Sequence, residues 1–167
     1  MPQRREAAIV GIHEYPSRVV GPGVSALQIK AASAAKALED AGLAWSDVDA
    51  VYDTGGDQAI GGLGICEYFG LNPRLIDNTS VGGASWEFQA NHAATMIASG
   101  KCEVALLTYG STSHSDRRAI GTGGGITAGI PSPSGNMESS WGLTLIGGYA
   151  MVKQRHMHQY GTTNEQF

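Results

Sequence analysis

The sequence predicts an α/β fold, with a mostly parallel sheet covered by helices on both faces. Four short apolar runs have the length of buried strands, and segments with helical spacing of apolar residues separate them. Strands that alternate with helices along a chain form parallel sheets on which those helices pack. With 167 residues, 42% of them hydrophobic and 16% charged, the chain is of single-domain length. We therefore expect one sheet and one core.

The first predicted unit is a strand, a helix and a second strand. Residues 7–12 form a continuous apolar run, which predicts a buried strand. Ser25 is a residue type that caps helices, and Gly42 is suited to end one. The apolar residues between them fall on one helical stripe: Leu27, Ala31, Ala34, Ala35, Leu38 and Ala41. Residues 50–52 then predict the second strand.

Two more strands and two more helices follow. Residues 63–69 predict a short helix that ends at Gly70, and Leu75 and Ile76 predict the next strand. A long helix is expected from Gly83 to Gly100, after a turn rich in short polar side chains. Its apolar positions are Ala84, Phe88, Ala90, Ala93, Ala94, Ile97 and Ala98, and residues 104–109 predict the fourth strand.

The last third of the sequence has a different composition. Residues 110–142 are rich in Ser, Gly and Pro, and a loop of this length in a compact domain is typically functional or disordered. From Leu143 to Gly161 the spacing predicts another helix. Residues 162–165 have the pattern of a capping box, which predicts the start of one more helix. We therefore expect an incomplete domain, with Leu145, Ile146 or Tyr149 exposed unless another polypeptide covers them.

The turn between residues 77 and 84 is the first candidate site. A side chain there is aimed at the mouth of the sheet, beside the amides of a helix N-terminus, which favour negative charge. Ser80 is one candidate nucleophile. Ser85 is the other, because the sequence around it begins like a G-x-S-x-G elbow, but Glu87 stands where the second glycine is needed. Trp86 and Phe88 predict aromatic core, with one ring as a candidate lining of an acyl tunnel.

Residues 78–83 (Asn-Thr-Ser-Val-Gly-Gly) resemble the segment around the nucleophilic cysteine of thiolases, most closely the sterol-carrier-protein type. Ser80 stands in the position of that cysteine. The resemblance extends from residues 8–11, through residues 106–110, to the helix after Trp141. It implies the layered thiolase fold, with this chain as its N-terminal domain and without the second half, which carries a catalytic histidine and a second cysteine.

The candidate functional residues rest partly on the resemblance and partly on position: the resemblance implies a role for Ser80, whereas His92 is a candidate because it lies on the helix that leaves the turn, and Arg117 and Arg118 because they follow the fourth predicted strand. Ser80 and His92 are the candidate catalytic residues, and Gly82 and Gly83 would let substrate approach the backbone. Arg117 and Arg118 would bind the phosphates of coenzyme A. Each has a plainer interpretation: a serine that satisfies turn backbone, a histidine packed on its helix, and two solvated arginines. These alternatives stay open on the sequence alone.

Three functions fit such a protein. The first is an acyl-CoA acyltransferase of the lipid-transfer type, with coenzyme A as substrate or product and no cofactor. The second is a binding or scaffold subunit, with a small acyl-CoA-binding partner. The third is a retro-aldolase of the same fold, which needs a general base and no thiolate. The resemblance further implies a homodimer that pairs the strand around Leu75 and Ile76 with its twofold mate.

Charge and composition exclude other classes. A net charge of −4 and a pI near 5.7 argue against a nucleic-acid surface. No apolar run approaches the ~18 residues of a membrane helix, and two cysteines in apolar segments indicate a reducing, cytoplasmic location. Those cysteines, Cys66 and Cys102, and the histidines His156 and His158 show no metal-ligand spacing, so we expect no metal.

Overall fold

The computed structural model describes residues 6–54, 61–117 and 145–167. Most of the predicted 110–142 loop, together with Arg118, lies outside the described residues. The chain divides into two compact units, Met1–Asp116 and Arg117–Phe167. The first unit contains the sheet and the candidate site, and the second contains the last helix, so each is described by itself.

The sheet of the first unit has three described strands. These are β1 (Ala50–Tyr52), β2 (Leu75–Asp77) and β3 (Ala105–Leu107), in the order β2-β1-β3. β1 pairs in parallel with both neighbours. All three β1 residues are buried, as expected for a strand that is covered on both faces. The predicted parallel sheet is therefore confirmed, and β2 lies at one edge of its described part.

Helices cover both faces of this sheet, as predicted. On one face, Val51 and Leu106 pack against α1 (Ala26–Ala41) and α2 (Gly62–Phe69). On the other, Ala50 and Tyr52 pack with Ala93 of α3 (Ser85–Ala98). Because side chains alternate along a strand, neighbouring β1 residues contribute to opposite cores.

The ends of α1 follow the predicted capping signals. The backbone N–H of Gln28 donates to Ser25 Oγ, and the N–H of Ser25 donates to Gln28 Oε1. These reciprocal bonds form a capping box, which satisfies two amides that the helix itself cannot. At the other end Gly42 has φ of 67°, a left-handed conformation that glycine adopts without a steric penalty.

The predicted first strand is wrong. Residues 7–12 form no regular structure, and the side chain of Ile9 is 85% exposed. The segment lies along α1 instead: the N–H of Ile12 donates to Asp40 Oδ2, and a Cβ at Gly11 would collide with the carbonyl oxygen of Ala37. The backbone of the apolar run therefore packs against a helix instead of pairing in the sheet. The described sheet has three strands rather than four.

The second unit contains α4 (Leu145–Tyr160) and a 3₁₀ turn, Asn164–Gln166. Ile146 and Tyr149 are exposed, as predicted; the side chain of Leu145 lies outside the described residues. The capping interaction is one residue later than predicted, since the N–H of Thr163 donates to Gln166 Oε1. No helix in the described ranges is both long and apolar enough to cross a bilayer.

Candidate functional site

The candidate site is the Ser80 turn, residues 78–84, which connects β2 to α3. It lies at the carboxyl end of a parallel strand, the end at which open α/β sheets bind ligands. Ser80 itself is exposed, and its hydroxyl has no hydrogen-bond partner among the described residues. In the described part of the chain the turn therefore exposes the Ser80 hydroxyl to solvent, and its place in a substrate crevice stays a prediction.

His92 of α3 forms an ion pair or hydrogen bond with the last residue of β2. Its Nδ1 lies 2.7 Å from Asp77 Oδ2, and the His92 and Asp77 side chains are 38% and 20% exposed. The other oxygen of Asp77 accepts two bonds from Thr79, from its amide (2.7 Å) and its hydroxyl (2.6 Å). The carboxylate thus orients the imidazole while the imidazole keeps contact with solvent.

The hydrogen-bond geometry of Asp77 indicates which ring nitrogen of His92 carries a proton in this contact. Partial burial alone would raise the pKa of the carboxyl, but hydrogen bonds from Thr79 and His92 outweigh it and hold the pKa below its usual range. An ionised carboxylate can only accept hydrogen bonds. His92 Nδ1 therefore carries the proton that points to Asp77, which leaves Nε2 as the nitrogen able to exchange a proton with a ligand.

Two further side chains of α3 hold the turn. Ser85 is fully buried; its Oγ accepts from the N–H of Val81 (2.9 Å) and donates to the carbonyl of Gly82. Gln89 is also fully buried, and its Nε2 donates to the carbonyl of Thr79 (3.0 Å). Because Ser85 is committed to these internal bonds, the structure favours Ser80 over Ser85 as the exposed hydroxyl.

The two glycines of the turn serve different needs. Gly82 has φ of 78°, which a residue with a side chain rarely adopts. Gly83 has an ordinary φ, and a Cβ at either position would meet no atom within 4 Å. The space beside this backbone is therefore open, and the proposed approach of a substrate to Gly82 and Gly83 stays a prediction that this geometry permits.

The two aromatic residues after the turn lie in different environments. Trp86 is half-buried; its Nε1 donates to the carbonyl of Thr108 (3.0 Å), and its ring meets that of Tyr109 edge-on at 4.7 Å. Phe88 is 51% exposed and contacts the His92 ring. The predicted aromatic core is therefore wrong for Phe88, because the buried face of α3 is formed by Ser85, Gln89 and Ala93.

A second polar cluster, which the sequence analysis missed, lies where β1 and β3 end. Lys30 of α1 and Asp53 are almost fully buried, with Lys30 Nζ 2.9 Å from Asp53 Oδ2. Thr108 Oγ1 donates to the same oxygen at 2.8 Å. Buried charges persist when they are paired and hydrogen-bonded, as here. The cluster connects α1 to the carboxyl ends of two strands.

Neither thiol of the chain is placed as a nucleophile. Cys66 is a residue of α2 whose side chain lies in the core with Val51, and Cys102 lies in the core beside Tyr52. Burial raises the pKa of both thiols; in Cys102 the charge of Asp49 adds to the effect. Among the described residues no group of three or more His, Cys, Asp or Glu side chains could hold a metal ion.

The structure brings together some of the predicted site residues. Ser80, Gly82, Gly83 and His92 belong to one strand-turn-helix segment, with Asp77 as the link between its two ends. Arg117 follows the turn after β3 and is exposed, with φ of 53°, a conformation that costs a non-glycine residue about 1–2 kcal/mol. The contacts of Arg117 and Arg118 with a ligand stay predictions.

One sequence signal could have revealed Gln89, which the sequence analysis missed. Ser85, Gln89 and His92 are spaced four and three residues apart, so they share one helix face. That polar stripe faces the turn, whereas the sequence analysis traced the apolar positions of the same helix. The Lys30–Asp53 pair has no comparable signal, since 23 residues separate its members and neither belongs to a motif.

We compared the chain with known proteins. No protein-family model matches it. The acetyl-CoA acetyltransferase of Methanocaldococcus jannaschii is 32% identical over 139 residues, which cover 78% of this chain and 33% of that enzyme. The chain therefore spans about a third of the length of this curated relative.

Two solved structures are similar. The Ltp2-ChsH2(DUF35) aldolase matches 93% of this chain and 39% of its own, with a TM-score of 0.66 and 25% identity. A monomeric SCP2-thiolase-like protein type 1 from Mycobacterium smegmatis matches 81% of this chain and 30% of its own, with a TM-score of 0.51 and 22% identity. The parallel sheet, its helices on both faces and these similarities together show that the chain has a thiolase-like α/β fold.

Proposed function

We propose that the protein acts on acyl-CoA thioesters by cleaving or forming a carbon–carbon bond without a covalent acyl-cysteine, as a retro-aldolase does. One observation carries the proposal: the turn at the carboxyl end of β2 presents an exposed serine, and both cysteines of the chain are buried. An alcohol is a far weaker nucleophile than a thiolate unless a base activates it. A reaction that needs only a base and an oxyanion site avoids this weakness.

The Asp77–His92 pair supplies the base in this proposal. His92 Nε2 would take the proton of a 3-hydroxyl group; the Cα–Cβ bond breaks, a carbonyl forms at Cβ, and the electron pair passes to the thioester as an enolate. Protonation of Cα, by the proton that His92 received, then gives the shorter acyl-CoA. Asp77 stabilises the imidazolium that forms during the first step, as a carboxylate does in a catalytic triad.

Ser80 and the first amides of α3 would stabilise the enolate oxygen. The N-terminus of a helix carries partial positive charge and unpaired N–H groups, which favour a developing anion. The free hydroxyl of Ser80 can donate one hydrogen bond there. The open space at Gly82 and Gly83 supports a close approach of the thioester to this backbone. We assign the phosphates of coenzyme A to Arg117 and Arg118.

Similarity to known proteins supports this proposal and one extension of it. The solved structure with the higher TM-score of the two is named as an aldolase, and its name joins Ltp2 to ChsH2(DUF35). We therefore propose that the small acyl-CoA-binding partner expected from the sequence is of the DUF35 type. A mixture of the two proteins that elutes as separate species in gel filtration would contradict this assembly.

A second candidate is acyl transfer, the function first expected from the sequence. Its support is the 32% identity to an acetyl-CoA acetyltransferase. In that case the Asp77–His92 pair would activate Ser80 for attack on the thioester, and an acyl-serine would form. The two candidates differ in whether free coenzyme A is consumed.

A product assay separates the two functions. The full-length protein is incubated with a 3-hydroxyacyl-CoA, and separately with acetoacetyl-CoA plus coenzyme A, while aldehyde or ketone and acyl-CoA products are measured. The retro-aldolase proposal expects products only from the 3-hydroxyacyl-CoA, and their loss in His92→Asn. Thiolysis of acetoacetyl-CoA that depends on Ser80 would contradict the proposal and establish the second candidate.

The homodimer stays a proposal with a structural rationale. β2 is an edge strand of the described sheet, and Ile76 on it is partly exposed. An edge with unpaired backbone groups can pair with a second copy. Light scattering should report a dimer that Ile76→Lys weakens; a monomeric wild-type protein would contradict it.

A further inference from the structure

The most informative residue outside the predicted site is Gln89. Its side chain is fully buried in the second turn of α3, between Ser85 and His92 on the same face of the helix. Among the described residues its one hydrogen-bond partner is the carbonyl oxygen of Thr79, which accepts from Nε2 at 3.0 Å. That carbonyl belongs to the peptide bond between Thr79 and Ser80. Gln89 therefore acts on the backbone immediately before the exposed serine.

The amide oxygen of Gln89 has no hydrogen-bond partner in the part of the chain that the structure describes. A buried polar atom without a partner is costly, so a residue chosen only for packing would be apolar at this position. Methionine has nearly the same shape as glutamine and carries no such cost. Glutamine is present although its side-chain oxygen has no partner among the described residues. This indicates that position 89 requires the amide N–H group, which donates to the Thr79 carbonyl.

We propose that Gln89 is a positioning residue that orients the Thr79–Ser80 peptide, and with it the Ser80 hydroxyl and amide, towards the reacting thioester. The inference rests on the proposed function for its catalytic consequence. Its geometric part, that Gln89 sets the orientation of position 80, stands on the hydrogen bond and burial alone.

The neighbouring anchors explain why one bond has this effect. On one side the turn is fixed by the hydrogen bond from the Thr79 amide to Asp77. On the other side the Ser85 hydroxyl fixes it through hydrogen bonds with the backbone of Val81 and Gly82. Between them the Gln89 bond is the contact of the helix with the Thr79 carbonyl. Its loss frees rotation of the peptide that precedes Ser80 while both flanking anchors stay in place. We therefore expect that loss of this hydrogen bond disturbs the site and leaves the fold intact.

The test introduces a reporter at position 80. In a Ser80→Cys background, the rate of alkylation by iodoacetamide as a function of pH measures the pKa of the introduced thiol. Because amides of a helix N-terminus lower thiol pKa values, we expect a midpoint below the ordinary value of about 8.5. The added change Gln89→Met should move the midpoint back towards that value, since the thiol loses its fixed orientation. Cys66 and Cys102 are buried and should react slowly in both proteins.

A matched control uses the same helix. Asn91→Met replaces an exposed amide with the same apolar side chain and should leave the alkylation profile unchanged. If Gln89→Met does not fold, Gln89→Asn keeps an amide but is too short to reach Thr79, and should give the same shift. An alkylation profile that is identical with and without Gln89 would overturn the proposal.

A kinetic arm tests the catalytic consequence separately. With 3-hydroxyacyl-CoA as substrate, Gln89→Met in the wild-type background should lower kcat about tenfold or more and leave KM nearly unchanged, within the ~100-fold that a misplacement of about 1 Å can cost. A purely structural role would change both or neither. If no turnover is found in the wild type, the proposed function fails, but the alkylation profile still decides the role of Gln89.

Discussion

Two carboxylates lie at the carboxyl ends of neighbouring strands, and their environments differ. Asp53, just after β1, is closed in by Lys30 and Thr108, with the lysine and aspartate side chains only 3% and 1% exposed. Asp77, at the end of β2, is paired with a histidine that keeps contact with solvent. The first pair is enclosed by the described residues around it, whereas the second combines an oriented base with access to solvent. The comparison indicates that burial, rather than residue type alone, distinguishes a structural ion pair from a reactive one at the carboxyl ends of these strands.

The closed pair should have the largest effect on stability. Lys30→Met leaves Asp53 buried without its cation, which we expect to lower the free energy of unfolding by about 3–5 kcal/mol in urea denaturation. Lys36→Met is the matched control: it removes a lysine from the same helix, where the pair with Glu39 is exposed, and should change stability little.

The double variant Lys30→Met with Asp53→Leu sharpens the same comparison. Replacing both members of a buried ion pair with apolar residues can restore stability. If Lys30→Met and Lys36→Met destabilise the protein equally, the buried cluster does not have the structural role assigned to it.

The open pair should affect activity instead. His92→Asn keeps an N–H donor near the position of Nδ1 but has no base, so turnover of a 3-hydroxyacyl-CoA should fall by about 10²-fold or more. The melting temperature should stay close to that of the wild type, because the pair is partly exposed. His158→Asn, an exposed histidine on α4, is the control. Unchanged turnover in His92→Asn would exclude His92 as the base.

The lowered pKa of Asp77 predicts how its contribution to stability depends on pH. Because the folded state holds this pKa below the ordinary value of about 3.9, the ionised carboxylate stabilises the fold above that pH, and the stabilisation is lost as the pH falls further. The difference in unfolding free energy between wild type and Asp77→Asn should therefore be constant near neutral pH and shrink below about pH 4. A difference that grows on acidification would have the wrong sign.

The smallest effect is expected at Tyr52, a buried polar group without a partner. Burial, then the charges of Cys102 and Asp77, raise the pKa of this phenol to about 12, so it is neutral at ordinary pH. Its hydroxyl has no hydrogen-bond partner within the described ranges. Tyr52→Phe should therefore be nearly neutral or slightly stabilising in urea denaturation. A marked loss of stability would mean that the hydroxyl has a partner, such as an ordered water.

Local signals in the sequence predicted much of this fold. The caps of α1, the ends of α2 and the β2–turn–α3 segment follow from residue types whose backbone preferences act over a few residues. The run at residues 7–12 failed as a strand because pairing depends on which partner is available, and here its backbone meets α1. An apolar run alone does not specify that partner.

The candidate site was predictable in part for the same reason. Ser80 and the glycines are neighbours in sequence, so their turn could be found from spacing. The Asp77–His92 bond joins residues 15 apart, and Gln89 reaches Thr79 across ten residues. These contacts depend on how α3 packs against β2. The polar stripe on that helix is the one feature of the local sequence that indicates them.

The central claim is that the Ser80 turn supports chemistry without a covalent acyl-enzyme, and an acyl-trapping experiment tests it most directly. The full-length protein is mixed with acyl-CoA labelled in the acyl group, quenched in acid, and the label on the protein is counted. We expect none on the wild type and a stoichiometric label on Ser80→Cys, which restores the thiol that thiolases use. A stoichiometric label on the wild type that Ser80→Ala abolishes would contradict the claim and identify Ser80 as a nucleophile.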